Sequence, residues 1–386
     1  MQTASASASA SVSVKSLKSV LTVAKRRIGK RIYGATQNIH IACNGSAVIR
    51  FTDGELRVSA AIPCEHSGAD FAYQFQFAEL QGMVAKTKSK ELTITPAGRV
   101  SAGIVSKDLE SPWDKIRIGV DSKGVAELAD VCALVPHPRE FADFVYVDAL
   151  EFRDACKALL HCVDTEITRY ALGGILLKVC QKSLELVATD SRRLGIRNID
   201  TQGRSSDALA VSGVLPKSAV ETFLALFPKD LSGETVRVSF SENSISLVTS
   251  GVTVDSPIQQ GRFPAYDQIL PPAMRAVSFP RVPLLEILRE FAPHTSEDSR
   301  GMDFKLSPGL LRVSYGKSLV AFLEIPREDL RIKCILDPLY LIDALECCTA
   351  DYVAWRIKDG ELASESAMEF YDFDHREIVM PLKRDR

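Results

Sequence analysis

Amphipathic helices at nearly equal spacing give the chain its predicted plan. Apolar residues at helical spacing predict helices that start near residues 16, 150 and 283, which are 134 and 133 residues apart. Each third also contains a second candidate helix, at 77–85, 216–227 and 338–348. The last of these begins with Asp337 and Pro338, a typical N-cap and first-turn pair. A repeat of this length predicts three similar domains.

Short alternating strands joined by tight turns follow the predicted helices. Segment 48–59 has Asp53-Gly54 between two alternating runs, and segments 175–188 and 236–249 have polar turns in their centres. Strands joined in this way pair antiparallel. We therefore predict an α+β fold in which each domain contains two helix-plus-antiparallel-strand units.

Proline-bearing segments at 136–141 and 271–274 separate the periodic regions. They divide the chain into predicted domains at 1–140, 141–272 and 273–386. The Ala/Ser repeat at residues 4–13 has low complexity, and it is typical either of a disordered tail or of a first strand. We expect it to be mostly disordered.

Composition excludes several classes of protein. The chain has 386 residues, 46% of them hydrophobic, so it can bury sizeable cores without disulfide or metal staples. It contains no run of 18 apolar residues that would predict a membrane helix, and its start lacks the apolar run of a secretory signal. We therefore expect a cytoplasmic protein that does not bind membranes.

The nine cysteines and six histidines form no metal-binding or redox motif. No CxxC, HxH or HExxH is present, so buried free thiols are the simplest interpretation of the cysteines. We expect no metal and no cofactor.

Charge is balanced overall but concentrated near the start of the chain. The formal net charge is −2, from 47 basic and 49 acidic residues. Seven basic residues and no acidic residue lie between Lys15 and Arg31. Such a block is typical of a solvated face, and the alternative is an anion-binding surface.

A search for catalytic motifs finds none. No GxxxxGK[ST] sequence, no GxGxxG after a strand and no GxSxG is present. Asp190 is a candidate base or metal ligand, but no histidine or carboxylate lies at a useful spacing. This favours a scaffold over an enzyme.

Four separate segments carry a resemblance to a known family. They are TRYALGGILL (168–177), LELVATDSRRLGI (184–196), GRFPAYDQILP (261–271) and IVMPLKR (378–384). In this order and at these separations they resemble signature stretches of the bacterial sliding clamp, the beta subunit of DNA polymerase III.

The resemblance implies the DNA clamp fold and a processivity factor without catalytic activity. Such a chain forms half of a ring, a head-to-tail homodimer with three domains per chain, and the ring encircles double-stranded DNA. The clamp tethers the replicative polymerase and recruits other proteins through a peptide-binding pocket. The implied partners are the DNA polymerase III catalytic subunit, the clamp loader and other replication and repair proteins with clamp motifs.

The resemblance also implies the residues of the peptide-binding pocket, between the second and third domains. Several of them are apolar, and burial of one Leu or Phe of a guest peptide contributes roughly 1.5–3 kcal/mol. The matching positions are Leu172, Thr189, Ser191, Arg192, Arg193, Leu194, Pro264, Gln268, Ile269, Val379, Met380, Pro381 and Leu382.

DNA contacts are expected from basic side chains on the polar faces of helices, because attraction to phosphates needs no fixed register. These residues are Lys18, Lys25, Arg153, Lys157 and Lys217. The resemblance adds Lys30, Arg31, Arg169 and Tyr170.

Two departures from the family pattern affect the predicted pocket. Arg192 stands where the family commonly has histidine, and residues 361–377 match the family poorly. Two alternatives to the clamp remain at this point. One is a clamp-like scaffold that binds only peptides, and the other is an enzyme with a scattered site around Asp190.

Overall fold

The computed structural model divides the chain into two compact units. The first unit comprises Met1–Arg153 and Thr201–Ile258, and the second comprises Asp154–Asp200 and Gln259–Arg386. The residues that the structure describes are 9–28, 38–68, 71–97, 101–106, 117–119, 143–165, 171–204, 211–227, 233–270, 274–296, 300–358, 366–373 and 375–383.

The six predicted helices are all present, with boundaries within two residues of those expected. Their apolar residues form the buried faces, as the helical spacing predicts. The described helices are α1 (Val14–Ile28), α2 (Phe77–Lys86), α3 (Ala149–Leu159), α4 (Lys217–Leu226), α5 (Arg281–Phe291) and α6 (Pro338–Cys347). Short 3₁₀ turns cover Leu160–Cys162, Tyr266–Gln268 and Ala292–His294.

Asp337 caps α6 as predicted. Its Oδ1 accepts a hydrogen bond from the backbone N–H of Leu339 at 2.9 Å, and Pro338 occupies the first turn. Helix α5 begins at Arg281, two residues before the expected start near residue 283.

Strands make up most of the remaining described structure. They are β1 (Ser9–Ser13), β2 (Asn38–Cys43), β3 (Ser46–Thr52), β4 (Arg57–Ser67), β5 (Phe71–Gln76), β6 (Glu91–Ala97), β7 (Ser101–Ser106), β8 (Arg117–Gly119), β9 (Asp143–Asp148), β10 (Gly174–Val179), β11 (Ser183–Thr189), β12 (Arg193–Arg204), β13 (Ser212–Pro216), β14 (Thr235–Phe240), β15 (Ser244–Val248), β16 (Val252–Pro257), β17 (Met274–Pro280), β18 (Met302–Ser307), β19 (Leu310–Tyr315), β20 (Leu319–Glu324), β21 (Ile332–Leu336), β22 (Tyr352–Lys358), β23 (Met368–Tyr371) and β24 (His375–Val379).

Within each unit these strands pair antiparallel. In the first unit, β4 pairs with β1, β3 and β16, and this connects strands from both ends of the unit's sequence. In the second unit one sheet has the order β10-β11-β12-β24-β23-β22-β17. A separate sheet has the order β20-β19-β18-β21. The predicted α+β class with antiparallel sheets is confirmed.

The predicted hairpin at Asp53-Gly54 is present between β3 and β4. Gly54 has a φ of 93°, a conformation that glycine adopts without steric cost. Asp53 Oδ1 accepts hydrogen bonds from the backbone N–H groups of Glu55 at 3.0 Å and Leu56 at 2.8 Å. The turn therefore satisfies its own backbone donors.

The expected disorder of the Ala/Ser repeat is wrong for Ser9–Ser13. This segment forms β1, which pairs on one side with β4 and on the other with β6. Ala10 and Val12 on this strand are fully buried. Residues 4–8 lie outside the described residues.

The predicted three-domain boundaries stay a prediction. The junction at 136–141 lies outside the described residues, and so does most of the junction at 271–274. Among the helices that the structure describes, none combines the length and the apolar character needed to cross a membrane.

Aromatic side chains are central to the core of the second unit. Trp355 stacks on Phe370 with ring centroids 5.7 Å apart, and Phe304 meets Trp355 edge-on at 6.4 Å. All three rings are fully buried. This core supports the sheet that contains β12 and β24, from which the candidate site is built.

Candidate functional site

Strand β24 runs beside strand β12 and brings the end of the chain to the predicted pocket. In this antiparallel pairing Arg193 lies opposite Val379. The contact continues beyond the strand, because the backbone N–H of Met380 donates to the carbonyl of Arg192 at 3.0 Å. Two distant segments of the predicted pocket are therefore adjacent.

A tight turn before β12 exposes two of the predicted pocket residues. Thr189 Oγ1 donates to the carbonyl of Arg193 at 2.6 Å, and Asp190 Oδ1 accepts from the backbone N–H groups of Arg192 and Arg193 at 3.0 and 2.9 Å. Ser191 has a φ of 74°, in the left-handed region that is uncommon for residues other than glycine. The turn leaves Ser191 and Arg192 exposed.

Arg193 is fixed by contacts inside the second unit. Its guanidinium donates to Asp190 Oδ2 at 3.0 Å, to Asp343 Oδ2 at 2.6 Å and to the carbonyl of His161 at 2.6 Å. It also lies over the Tyr340 ring, 4.4 Å from the centroid. Burial opposes its charge, but the bond to Asp343 raises the pKa of Arg193 above its usual value. These contacts hold the Arg193 guanidinium in one position.

A second group of predicted residues is held by the 3₁₀ turn at Tyr266–Gln268. Tyr266 is buried, and its hydroxyl contacts Glu185 and accepts a hydrogen bond from Lys178 Nζ at 3.1 Å. Burial and the Glu185 contact raise the pKa of the Tyr266 phenol. This anchoring fixes a turn from which Gln268 and Ile269 extend into solvent.

The apolar residues of the candidate pocket divide into buried and exposed groups. Leu172, Leu194 and Val379 are between 0% and 3% exposed and belong to the core. Ile269 and Met380 are 46% and 39% exposed, which is unusual for large apolar side chains. A guest could therefore contact the exposed pair, while the buried residues support the surface beneath.

The remaining predicted pocket residues also lie in the second unit. Pro264, Pro381 and Leu382 are partly buried. The backbone N–H of Leu382 donates to the carbonyl of Ile335 at 2.8 Å, which ties the end of the chain to β21. The backbone N–H of Ala171, next to Leu172, donates to the carbonyl of Arg262 at 3.3 Å, near Pro264.

Sequence reasoning missed the contribution of helix α6. Tyr340 and Asp343 both contact Arg193, and Leu339 is 43% exposed. The available signal was the apolar run at 339–342, which is wider than one buried helix face requires.

The predicted DNA-facing residues are partly described, in α1, α3 and α4. Lys18, Lys25 and Lys157 are exposed, whereas Arg153 and Lys217 are partly buried. The guanidinium carbon of Arg153 lies 5.9 Å from the centroid of the Phe227 ring. The predicted residues Lys30, Arg31, Arg169 and Tyr170 lie outside the described residues.

Arg27 connects two of these helices in the first unit. Its guanidinium donates to Thr222 Oγ1 at 2.7 Å and to the carbonyl of Ser218 at 2.5 Å, both on α4. Glu221 on the same helix lies 3.6 Å away. Helices α1 and α4 are therefore packed together, with the lysines of α1 on the outside.

Asp190 has a structural role in its turn, and this role explains its contacts without catalysis. Both of its carboxylate oxygens accept hydrogen bonds within its own turn, from Arg192 and from Arg193. The geometry therefore gives no support to an enzyme centred on Asp190.

Comparison with known proteins identifies the family that the chain resembles. Residues 147–265 match the family model described as DNA polymerase III beta subunit, central domain. The beta sliding clamp of Pseudomonas aeruginosa is 27% identical over 220 residues, which is 56% of this chain and 59% of that protein. The chain thus matches somewhat over half the length of this relative.

Solved structures extend the likeness to nearly the whole chain. The DNA polymerase sliding clamp of Bacillus subtilis has a TM-score of 0.80 at 14% identity and covers 98% of this chain and 100% of its own. The Helicobacter pylori beta clamp bound to a DNA ligase peptide has a TM-score of 0.79 at 16% identity and covers 97% and 100%. The fold is that of bacterial sliding clamps, and the resemblance found in the sequence is confirmed.

Proposed function

We propose that the chain is half of a ring-shaped clamp that encircles duplex DNA and tethers the replicative polymerase. The observation that carries this proposal is the likeness to sliding clamps over 98% of the chain, with no part of the related structure left uncovered. In this role the protein is a non-catalytic cytoplasmic accessory factor, and DNA is retained because it is enclosed.

The exposed lysines of α1 and α3 supply the DNA-facing charge in this proposal. Lys18, Lys25 and Lys157 extend from helices and form no ion pair among the described residues. Free ammonium groups attract phosphates at any register, which permits sliding. Arg153 on α3 and Lys217 on α4 add further charge, and Lys30, Arg31, Arg169 and Tyr170 complete the proposed DNA contacts.

The second unit would bind the peptide tails of partner proteins. Ile269 and Met380 offer exposed apolar contacts, and Arg192 adds a cation at the edge. Two apolar anchors that contribute roughly 1.5–3 kcal/mol each, less the cost of ordering the peptide, give affinities on the order of micromolar. Such affinities permit exchange among the polymerase, the clamp loader and repair proteins.

Strand β20 is the surface that we propose for ring closure. It is the end strand of its sheet, and Phe322 on it is 62% exposed. Among the described residues no further strand pairs with β20, whereas β21 at the opposite end receives a hydrogen bond from Leu382. A free edge with an exposed aromatic side chain suits strand addition by a second copy.

The mass in solution tests this proposal. We expect sedimentation equilibrium to give twice the chain mass of 42.3 kDa. Phe322→Asp should shift the population toward monomer, because it places a charge in the proposed contact. Phe373→Asp, at a loop residue that is 90% exposed, should leave the dimer intact. A strict monomer at micromolar concentration would contradict the ring.

A further inference from the structure

Four side chains with metal-binding chemistry meet beside the peptide-binding framework. His161 and Cys162 come from the 3₁₀ turn after α3, and His375 and Glu377 come from β24. Residues two apart on a strand point to the same face, so His375 and Glu377 lie side by side. The two elements are more than 200 residues apart in sequence, and therefore no short motif marks the cluster.

Two of the three separations between the ligand atoms match those of a tetrahedral zinc site. Glu377 Oε1 lies 3.0 Å from His161 Nε2 and 3.7 Å from Cys162 Sγ. The three ligand atoms all lie within 4.8 Å of one another. Metal–ligand bonds of about 2.0–2.3 Å at tetrahedral angles place ligand atoms about 3–4 Å apart.

Neighbouring groups surround the three proposed ligand atoms. His161 Nε2 lies 3.0 Å from both carboxylate oxygens of Glu377, and His375 Nε2 lies 3.0 Å from Oε2. A metal would therefore replace the contact between His161 Nε2 and Oε1, while His375 keeps its contact with Oε2. Cys347 Sγ lies 3.9 Å from Nδ1 of His161, on the side of the ring away from Glu377. Groups that hold the far side of each ligand are typical of metal sites.

The backbone of β12 makes room for the thiol. Gly195 lies directly opposite Glu377 in the β12–β24 pairing. A Cβ atom on Gly195 would lie 2.6 Å from Leu159 Cδ2 and 3.2 Å from Cys162 Sγ. The missing side chain therefore allows Cys162 to approach the carboxylate.

We propose that His161, Cys162 and Glu377 bind one zinc ion, with water as the fourth ligand. One thiolate and one carboxylate neutralise a divalent cation, which is the charge balance that a buried site requires. Cys162 and Glu377 are fully buried, and the His161 side chain is 17% exposed, which leaves a path for the ion. Thiolate and imidazole favour zinc over magnesium or calcium, which need several oxygen ligands.

The ion would tie the 3₁₀ turn to the strand that carries Val379 and leads to Met380. His161 also accepts a hydrogen bond from Arg193 through its carbonyl, so the site is continuous with the pocket framework. The zinc would therefore act structurally, and this role does not depend on the proposed clamp function.

The test is metal binding by the full-length protein without an affinity tag. Chelator-treated, reduced protein is titrated with Co²⁺ and, in competition with a chromophoric chelator, with Zn²⁺. We expect one ion per chain, a thiolate-to-cobalt charge-transfer band and a higher thermal unfolding midpoint with zinc. Cys162→Ser should abolish the band and weaken zinc binding by at least about tenfold.

Cys334→Ser is the matched control, because Cys334 is a buried free thiol on β21 of the same unit. It should bind zinc as the unchanged protein does. Glu377→Gln should also lose binding, and if it does not fold, Cys162→Ser and His161→Gln decide the question. Binding below one-tenth of an ion per chain, or equal binding by Cys162→Ser and Cys334→Ser, would overturn the proposal.

Discussion

The candidate pocket of the second unit holds Arg193 in place, whereas α1 of the first unit leaves Lys18 and Lys25 in solvent. Arg193 donates to three acceptors and stacks on Tyr340. Lys18 and Lys25 are exposed and form no ion pair among the described residues. The candidate pocket therefore depends on the geometry of its contacts, whereas the surface of α1 depends on charge alone.

This difference follows from what each surface is proposed to bind. A peptide anchor gains energy only where the apolar contact fits, so the supporting side chains must hold one position. Phosphates attract cations at many positions, and a sliding protein gains nothing from a fixed register. Single substitutions should therefore have large effects at Arg193 and small effects at the exposed lysines of α1.

Removal of Arg193 is expected to produce the largest effect. Arg193→Ala leaves Asp190 and Asp343 without their shared cation and should destabilise the second unit by about 3 kcal/mol. Arg192→Ala, at the exposed neighbouring arginine, should change stability by about 0.5 kcal/mol or less. Denaturant unfolding of both variants measures the difference, and equal stabilities would contradict the assigned role of Arg193.

Acid should lower the stability of the first unit through the protonation of His40. Burial, together with the nearby Arg50, lowers the pKa of His40 from 6.5 to about 4. Its ring nitrogens have no hydrogen-bond partner among the described residues. The unfolded chain therefore binds the extra proton first, and stability present above pH 6.5 is lost as pH falls toward 4, by up to about 3 kcal/mol.

The His40 effect can be isolated by substitution. His40→Leu should flatten the fall in unfolding free energy between pH 6.5 and 4, whereas His294→Gln, at an exposed histidine, should leave it unchanged. An unchanged acid dependence in a folded His40→Leu protein would show that His40 is not the source.

Loss of the exposed apolar pair should weaken peptide binding without unfolding the protein. Ile269→Ala combined with Met380→Ala should reduce affinity for a partner peptide by about 10- to 100-fold. Fluorescence anisotropy measures the affinity, with Phe373→Ala as a control at an exposed ring. Wild-type affinity in the double variant would remove these residues from the binding surface.

Lysine substitutions should have the smallest effect. Lys18→Ala with Lys25→Ala should lower the slope of log affinity for DNA against log salt by about 1–2, with only a modest loss of affinity. Lys305→Ala with Lys333→Ala removes the same charge from exposed positions on β18 and β21 and should leave the slope unchanged. Equal slopes for the two double variants would argue against a DNA-facing role for α1.

The sequence predicted the helices well because each has a regular apolar face. It predicted β1 poorly, because Ala and Ser are small and their alternation in Ser9–Ser13 resembles low-complexity sequence. Only the pairing of β1 with both β4 and β6 shows that these residues are core.

The candidate pocket residues were predicted from family resemblance, and their contacts come from distant parts of the sequence. Nothing local to Arg193 indicates Asp343 or the carbonyl of His161, which lie 150 and 32 residues away. The same applies to Glu377, whose partners His161 and Cys162 come from another element. Segment 361–377 resembles the family poorly in sequence, yet it contains β23 and part of β24.

The most direct test of the enclosed-DNA proposal is release by linearisation. Labelled protein is loaded on nicked circular duplex DNA by a clamp loader, isolated by gel filtration at moderate salt, and followed after the circle is cut once. We expect the protein to stay on the closed circle and to be lost rapidly from the linear product. Equal loss from both forms would contradict it.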